Sequence, residues 1–214
     1  MRGLISAVAL VALWFIHAFA LKYLIPSDAT FGIYEPRREW LIAHVACGTA
    51  ALLLGPAQFW LALNRKYALW HRILGIGYVM SVGISSVAAI YLALNTDFGW
   101  IFGMGMTALA LGWIITTGLA VIAICLCIVQ QHKEWMIRSY TVTFAFVIFR
   151  AIVEVLDVAG VGTTTERLTV ASWLCWSVPL LIMESILQGR KMFRPVSAPR
   201  QTSMELVTHS RQAQ

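Results

Sequence analysis

Apolar residues dominate six stretches of this chain, and the polar residues gather in the short segments between them. Each stretch is close to the ~20 residues that an α-helix needs to cross the ~30 Å hydrocarbon core of a bilayer. Short connections favour a compact bundle of antiparallel neighbours. The pattern therefore predicts an all-α, polytopic membrane protein with six transmembrane helices. The predicted spans are Leu4–Ile25, Trp40–Ala62, Ile73–Leu94, Gly103–Val129, Met136–Val158 and Val170–Gln188.

Lysine and arginine are distributed unequally between the two sets of connections. Most lie at the N-terminus, in the second and fourth connections and after the last span, whereas the third connection, Asn95–Phe102, has none. The positive-inside rule then predicts that both termini are cytoplasmic, in a multi-pass protein of the cell (inner) membrane. The first apolar run, which ends in Ala18-Phe19-Ala20, also resembles a signal peptide, and its cleavage would leave five spans.

Composition changes this interpretation little. The chain is 59% hydrophobic and 12% charged, so we expect one membrane domain over residues 1–189 and a disordered, basic cytoplasmic tail over 190–214. The net charge of +6 comes from residues at span ends and in the tail. They form no continuous basic face, so we expect no nucleic-acid partner. No hydrolase or kinase motif is present, and whether the protein is an enzyme stays open.

Ionisable side chains inside or at the rims of the spans are the candidate functional residues. Each costs about 2.5–3.5 kcal/mol at the bilayer centre, so each is expected to have a partner or a task. By depth they predict an outer and an inner polar layer. The outer layer holds His17, His44, Arg150 and Glu154, and the inner layer holds His71, Arg72, His132, Arg138 and Glu184.

Two pairings within these layers follow from the cost of a buried charge. Arg150 and Glu154 are four residues apart and share a helix face, which favours an ion pair, a pair that orients a ligand, or a pair that handles protons. Glu184 needs a cationic neighbour, and Arg138 or an inner histidine could supply it.

Histidine pairs on neighbouring membrane helices are typical of b-type haem sites, because neutral imidazoles coordinate the iron from both faces. The candidate ligands of haem b therefore form two pairs, His17 with His44 and His71 with His132. Of these four, His44 and His71 are the preferred ligands. Gly48 and Gly75 each follow a histidine by one turn, where a porphyrin edge could lie. Two alternatives stay open. Glycines recur at close spacing in the second to fourth spans, among them Gly48, Gly55, Gly75, Gly103 and Gly105, and they also suit close helix packing. His71 and His132 also suit interfacial positions.

Three blocks of sequence carry a family resemblance. The blocks are Gly48-x-x-Ala51-Leu-Leu-Leu-Gly55-Pro56-x-Gln58, His71-Arg72-x-x-Gly75-x-x-Tyr78 and His132-x-x-Trp135-Met136-Ile137-Arg138-Ser139-Tyr140. With them the chain resembles, from about His44 to Glu184, a family of prokaryotic multi-pass membrane proteins catalogued as domain of unknown function 2306. The resemblance implies a helical membrane domain and no settled activity. In helix count and histidine placement the chain also resembles, more weakly, di-haem cytochrome b membrane proteins.

Three functions are compatible with these observations. The first is a haem b-binding transmembrane redox protein with a redox partner, in which Arg138 and Arg150 pair with haem propionates or with glutamates. The second is a small-molecule or proton-linked carrier whose polar layers line a cavity. The third is a membrane assembly or scaffold subunit that uses its glycine-rich faces as contact surfaces.

Overall fold

The computed structural model describes residues 2–24, 31–63 and 65–193, and every regular element within them is helical. Two short segments, Gly32–Arg37 and Arg65–Tyr67, are 3₁₀-helical, and Ile16–Ala20 is π-helical. The α-helices are α1 (Arg2–Phe15), α2 (Leu21–Leu24), α3 (Arg38–Ala62), α4 (Ala68–Leu94), α5 (Trp100–Cys125), α6 (Val129–Thr143), α7 (Ala145–Val158) and α8 (Thr164–Met192).

Five helical segments of the described residues are long and apolar enough to cross a membrane. They are the joined α1, π-helix and α2 from Gly3 to Leu24, the segment Gly32–Ala62 that includes α3, and the helices α4, α5 and α8. These five correspond to five of the six spans that the sequence predicts. The protein is therefore a multi-pass, all-α membrane protein in its described residues, and the orientation of its termini stays a prediction.

The remaining predicted span, Met136–Val158, consists of two shorter helices. α6 and α7 meet at Phe144, whose backbone N–H still donates to the Tyr140 carbonyl at 2.9 Å. The Ile148 N–H donates in turn to the Phe144 carbonyl at 3.2 Å, so the helical path continues irregularly through this point. Neither helix is long enough alone to count as a crossing, and a sixth crossing stays a prediction.

The C-terminal boundary lies slightly beyond the predicted one. α8 continues through Arg190 and Lys191 to Met192, whereas the sequence places the start of the tail at residue 190. Of the predicted tail, 190–214, residues 194–214 lie outside the described part of the chain, so its disorder stays a prediction. Short connections make successive helices neighbours, and they define two ends of the bundle. The basic end holds residues 63 and 65–67, the turn at 126–128 and the end of α8, and the opposite end holds the turns at 95–99 and 159–163.

Glycines bring several helices into close contact. A Cβ on Gly103 of α5 would lie 2.5 Å from the Ala93 carbonyl oxygen of α4, and one on Gly105 would lie 2.4 Å from Ser172 Oγ of α8. A Cβ on Gly55 of α3 would lie 2.0 Å from the Tyr140 ring of α6. At these positions the close-packing interpretation of the glycines is confirmed, because only hydrogen fits in the space available.

Hydroxyl groups bind α4, α5 and α6 together in the middle of the bundle. The Tyr78 hydroxyl lies 2.8 Å from both Ser139 Oγ and Thr143 Oγ1. Trp113 Nε1–H donates to Thr143 Oγ1 at 2.9 Å, and Thr117 Oγ1 lies 2.7 Å from Ser139 Oγ. Tyr78 and Trp113 are among the largest fully buried side chains. The network thus satisfies polar groups that would be costly to leave unpaired at this depth.

Replacing Tyr78 by phenylalanine is expected to lower the free energy of unfolding by about 1–3 kcal/mol, because Ser139 and Thr143 lose a buried partner. Denaturant or thermal unfolding of the purified protein in detergent measures the change. Tyr91→Phe is the matched control, since Tyr91 lies on the same helix with an exposed side chain. Equal stability of the two variants would show that the buried hydroxyl contributes nothing.

Candidate functional site

A cavity of about 230 Å³ extends to the middle of the bundle from the end opposite the basic end. The first span, α3, α4, α5 and α7 form its walls, together with the short segment before α3. Most of the lining is apolar, with a high proportion of rings. The aromatic lining residues are Phe15, Phe19, Tyr23, Tyr34, Phe102, Trp113, Phe146 and Phe149. A predominantly apolar cavity with a few polar groups is the usual form of a small-molecule site.

His44 supplies one of the polar groups of this cavity. It lies about 9 Å from the start of α3, and its ring centre is 5.2 Å from that of Phe146. Its Nδ1 lies 3.0 Å from both the Ser85 carbonyl oxygen and Ser85 Oγ, and Ser85 Oγ donates to the His44 carbonyl. A carbonyl oxygen can only accept, so Nδ1 carries the proton.

The other ring nitrogen of His44 is consequently available. Within the described residues Nε2 has no hydrogen-bond partner. An imidazole whose Nδ1–H is held by a carbonyl presents a lone pair on Nε2, in an orientation fixed by the protein. Nε2 can accept a hydrogen bond or coordinate a metal.

Arg150 of α7 supplies the cationic group of the cavity, one turn beyond Phe146. Its guanidinium carbon lies 5.8 Å from the centre of the Phe19 ring, and its side chain is half-buried. No carboxylate in the described ranges forms an ion pair with it. A positive charge without a counterion beside an apolar cavity favours a ligand with an anionic or acceptor group.

The other members of the predicted outer layer do not join His44 and Arg150. His17 is exposed on the π-helical segment and is not a lining residue of the cavity. Glu154 is also exposed, and the structure does not form the expected Arg150–Glu154 pair between these described residues. Spacing placed them on one face, but Arg150 points to the cavity while Glu154 is accessible.

His71 and His132 lie at the basic end, as expected from their positions in the sequence. His132 Nδ1 lies 2.9 Å from the Ala120 carbonyl oxygen, and the His71 ring lies against the backbone of Gln58 in α3. The Gln58 side chain, rather than open space, lies against Gly75. Neither histidine lines the cavity, and Arg72 beside them is exposed.

The predicted pairing of Glu184 with Arg138 is confirmed. Arg138 Nε and Nη2 each lie 2.6 Å from Glu184 Oε2, and the guanidinium stacks 4.6 Å from the Trp135 ring centre. Two further members of this cluster, Glu134 and Lys191, were not among the predicted residues. Glu134 Oε2 lies 4.0 Å from Arg138 Nη1 and 2.6 Å from Lys191 Nζ. The four-residue spacing of Glu134 and Arg138 was the available signal.

One comparison with known proteins gives a match. A family described as "Predicted membrane protein (DUF2306)" matches residues 41–187, which include His44, Arg138, Arg150 and Glu184. His17 lies outside the matched region. No curated protein and no solved structure matches the chain.

Proposed function

Because the chain belongs to the DUF2306 family of predicted membrane proteins, whose description gives no activity, we propose a function from the cavity itself. The protein binds a lipid-soluble molecule with a flat, conjugated ring that carries oxygen atoms. The observation that carries this proposal is the placement of His44 and Arg150 on one aromatic cavity, where neither His44 Nε2 nor the Arg150 guanidinium has a polar partner in the described residues.

His44 and Arg150 favour different polar groups on a ligand. His44 Nε2 accepts a hydrogen bond, and the Arg150 guanidinium donates one to an oxygen that is neutral or anionic. Aromatic walls favour a flat ring, since ring contacts add to the free energy of burial. Quinones and hydroquinones combine these features, because their ring oxygens accept when oxidised and also donate when reduced. A quinone-type ligand also partitions into the bilayer that surrounds the site.

Titration of the purified protein in detergent with decylubiquinol, kept reduced, tests this proposal, because a quinol hydroxyl can donate to His44 Nε2. Saturable binding is expected, measured by calorimetry or by quenching of tryptophan fluorescence, because Trp113 lines the cavity. His44→Ala and Arg150→Gln are each expected to weaken binding by about tenfold or more, the effect of losing one hydrogen bond to a charged or buried group.

His17→Ala is the matched control for these variants, because His17 is exposed in the same half of the bundle and does not line the cavity. Its affinity should equal that of the unaltered protein. Linear, non-saturable uptake of the quinol, or equal affinity in all three variants, would contradict the proposal.

Haem b is a second candidate ligand of the same cavity. The hydrogen bond from His44 Nδ1 to the Ser85 carbonyl is the arrangement that orients iron-ligating histidines, and Arg150 could face a propionate. The described lining residues contribute one imidazole, so they fit a haem held by protein from one face and not the two-histidine site expected from the sequence. When bound, the haem would supply one-electron chemistry.

An absorption spectrum separates the two candidates. A haem protein prepared from haem-replete cells should show a reduced-minus-oxidised Soret and α-band that disappears in His44→Ala and persists in His17→Ala. A colourless preparation would exclude haem b and leave the quinone-type ligand as the proposal.

A further inference from the structure

A second concave surface, the basic-end groove, lies between α6 and α8 and is independent of the cavity. Its volume is about 640 Å³, and Thr116 of α5 also lines it. Charged and amide side chains lie towards the basic end, and the deeper part is apolar. The polar residues are Gln131, Glu134, Arg138, Glu184, Gln188 and Lys191, and the apolar ones include Trp176, Leu180 and Leu181.

The basic-end groove has two positive and two negative side chains, and these four differ in their exposure. The Arg138 and Glu134 side chains are only 8% and 6% exposed. Their partners, Glu184 and Lys191, are each 40% exposed. The groove therefore offers a ligand one accessible carboxylate and one accessible ammonium. Arg138 Nη1 is buried without a hydrogen bond in the described residues, so one donor beside these groups is unsatisfied. A ligand that complements this surface carries both signs of charge.

The position of the basic-end groove favours a ligand that is also apolar at one end. Along α8 its lining runs from Lys191, beside the helix end, to Trp176, a distance of about 22 Å. That length covers the headgroup depth and part of the hydrocarbon depth of one leaflet. Leu181 in the deeper part is 68% exposed, so the groove opens onto the lipid-facing surface of α8. A soluble zwitterion would leave this apolar part uncovered.

We propose that the basic-end groove binds the headgroup of a zwitterionic phospholipid with a primary amine. Its phosphate lies beside Lys191, its ammonium N–H groups donate to the Glu184 carboxylate, and its acyl chain follows Leu180 and Leu181. Glu184 already pairs with Arg138, but its side chain is 40% exposed and its oxygens can accept further N–H groups from the ammonium of a ligand. A quaternary amine has no N–H to donate, so choline lipids should bind less well.

Native mass spectrometry of the full-length protein in detergent, with equal amounts of phosphatidylethanolamine, phosphatidylcholine and phosphatidylglycerol, tests the proposal. Phosphatidylethanolamine should be retained about tenfold over the other two, the lower end of what a charge-assisted hydrogen bond contributes. Glu184→Gln should remove this preference. Ser185→Ala should keep it, because Ser185 is exposed on α8 outside the groove.

Two further outcomes would overturn the proposal. Equal retention of the three lipids by the unaltered protein would show that the headgroup is not recognised. Displacement of the lipid by an equal concentration of soluble glycerophosphoethanolamine would show that the groove takes a free phosphate compound and not a lipid. A Lys191→Gln variant gives a second test of the phosphate contact, because Lys191 is at the helix end and its replacement spares the Arg138–Glu184 pair.

Discussion

Arg138→Ala is expected to lower the free energy of unfolding by about 3 kcal/mol, towards the lower end of the ~3–5 kcal/mol lost when one partner of a buried ion pair is removed. Arg138 is the only cation within 4 Å of Glu184 in the described residues, and it also approaches Glu134. The lower end applies because Glu184 is 40% exposed and keeps its hydrogen bond from Gln188. Denaturant unfolding in detergent, followed by circular dichroism, measures the loss.

A second substitution identifies the cause of this destabilisation. Glu184→Gln in the Arg138→Ala background should recover part of the stability, because the uncompensated carboxylate is removed. Arg190→Ala is the control, since Arg190 is an exposed cation near the end of α8. A loss in Arg190→Ala as large as that in Arg138→Ala would attribute the effect to net charge and not to the buried pair.

Gly103→Ala is expected to destabilise the protein by about 1–3 kcal/mol, the usual cost of adding a methyl group to a packed contact. The added Cβ would lie 2.5 Å from the Ala93 carbonyl oxygen, a backbone atom that no change of rotamer can move. The α4–α5 hairpin would therefore have to open slightly. Thermal unfolding of the purified protein reports the change.

Gly118→Ala, on the same helix, is expected not to destabilise the protein. Nothing lies within 4 Å of a Cβ at Gly118, so the substitution should be neutral or stabilise α5 by up to about 1 kcal/mol through helix propensity. If both alanine variants changed stability by the same amount and in the same direction, the close approach at Gly103 would carry no energetic weight.

The apolar stretches and their lengths were sufficient to predict most of the helices. A run of about 20 apolar residues has one low-energy conformation in lipid, a helix that satisfies its own backbone, so the signal is local. The irregularity at Phe144 was not predictable in this way. No proline or glycine marks residues 143–145, and the interruption of the fifth predicted span appears only in the folded backbone.

The candidate site was predictable in its parts but not in its grouping. His44 and Arg150 stood out as ionisable residues in apolar spans, and Glu184 required a cationic neighbour. Sequence depth alone also grouped His17 and Glu154 with the first two, and the structure leaves both exposed and outside the cavity. Depth specifies height in the bilayer, whereas a site also depends on the rotation of each helix about its own axis.

The sequence by itself determined that this chain is a helical, multi-pass membrane protein and which polar side chains would be costly in lipid, because both depend on local composition. Only the tertiary structure decided which of them share a cavity, which form ion pairs and which meet in the hydroxyl network around Tyr78. These outcomes depend on contacts between residues far apart in sequence, such as His44 with Ser85 and Arg138 with Glu184. The relative rotation and spacing of whole helices set those contacts, and close approaches such as that of Gly103 to Ala93 fix that spacing.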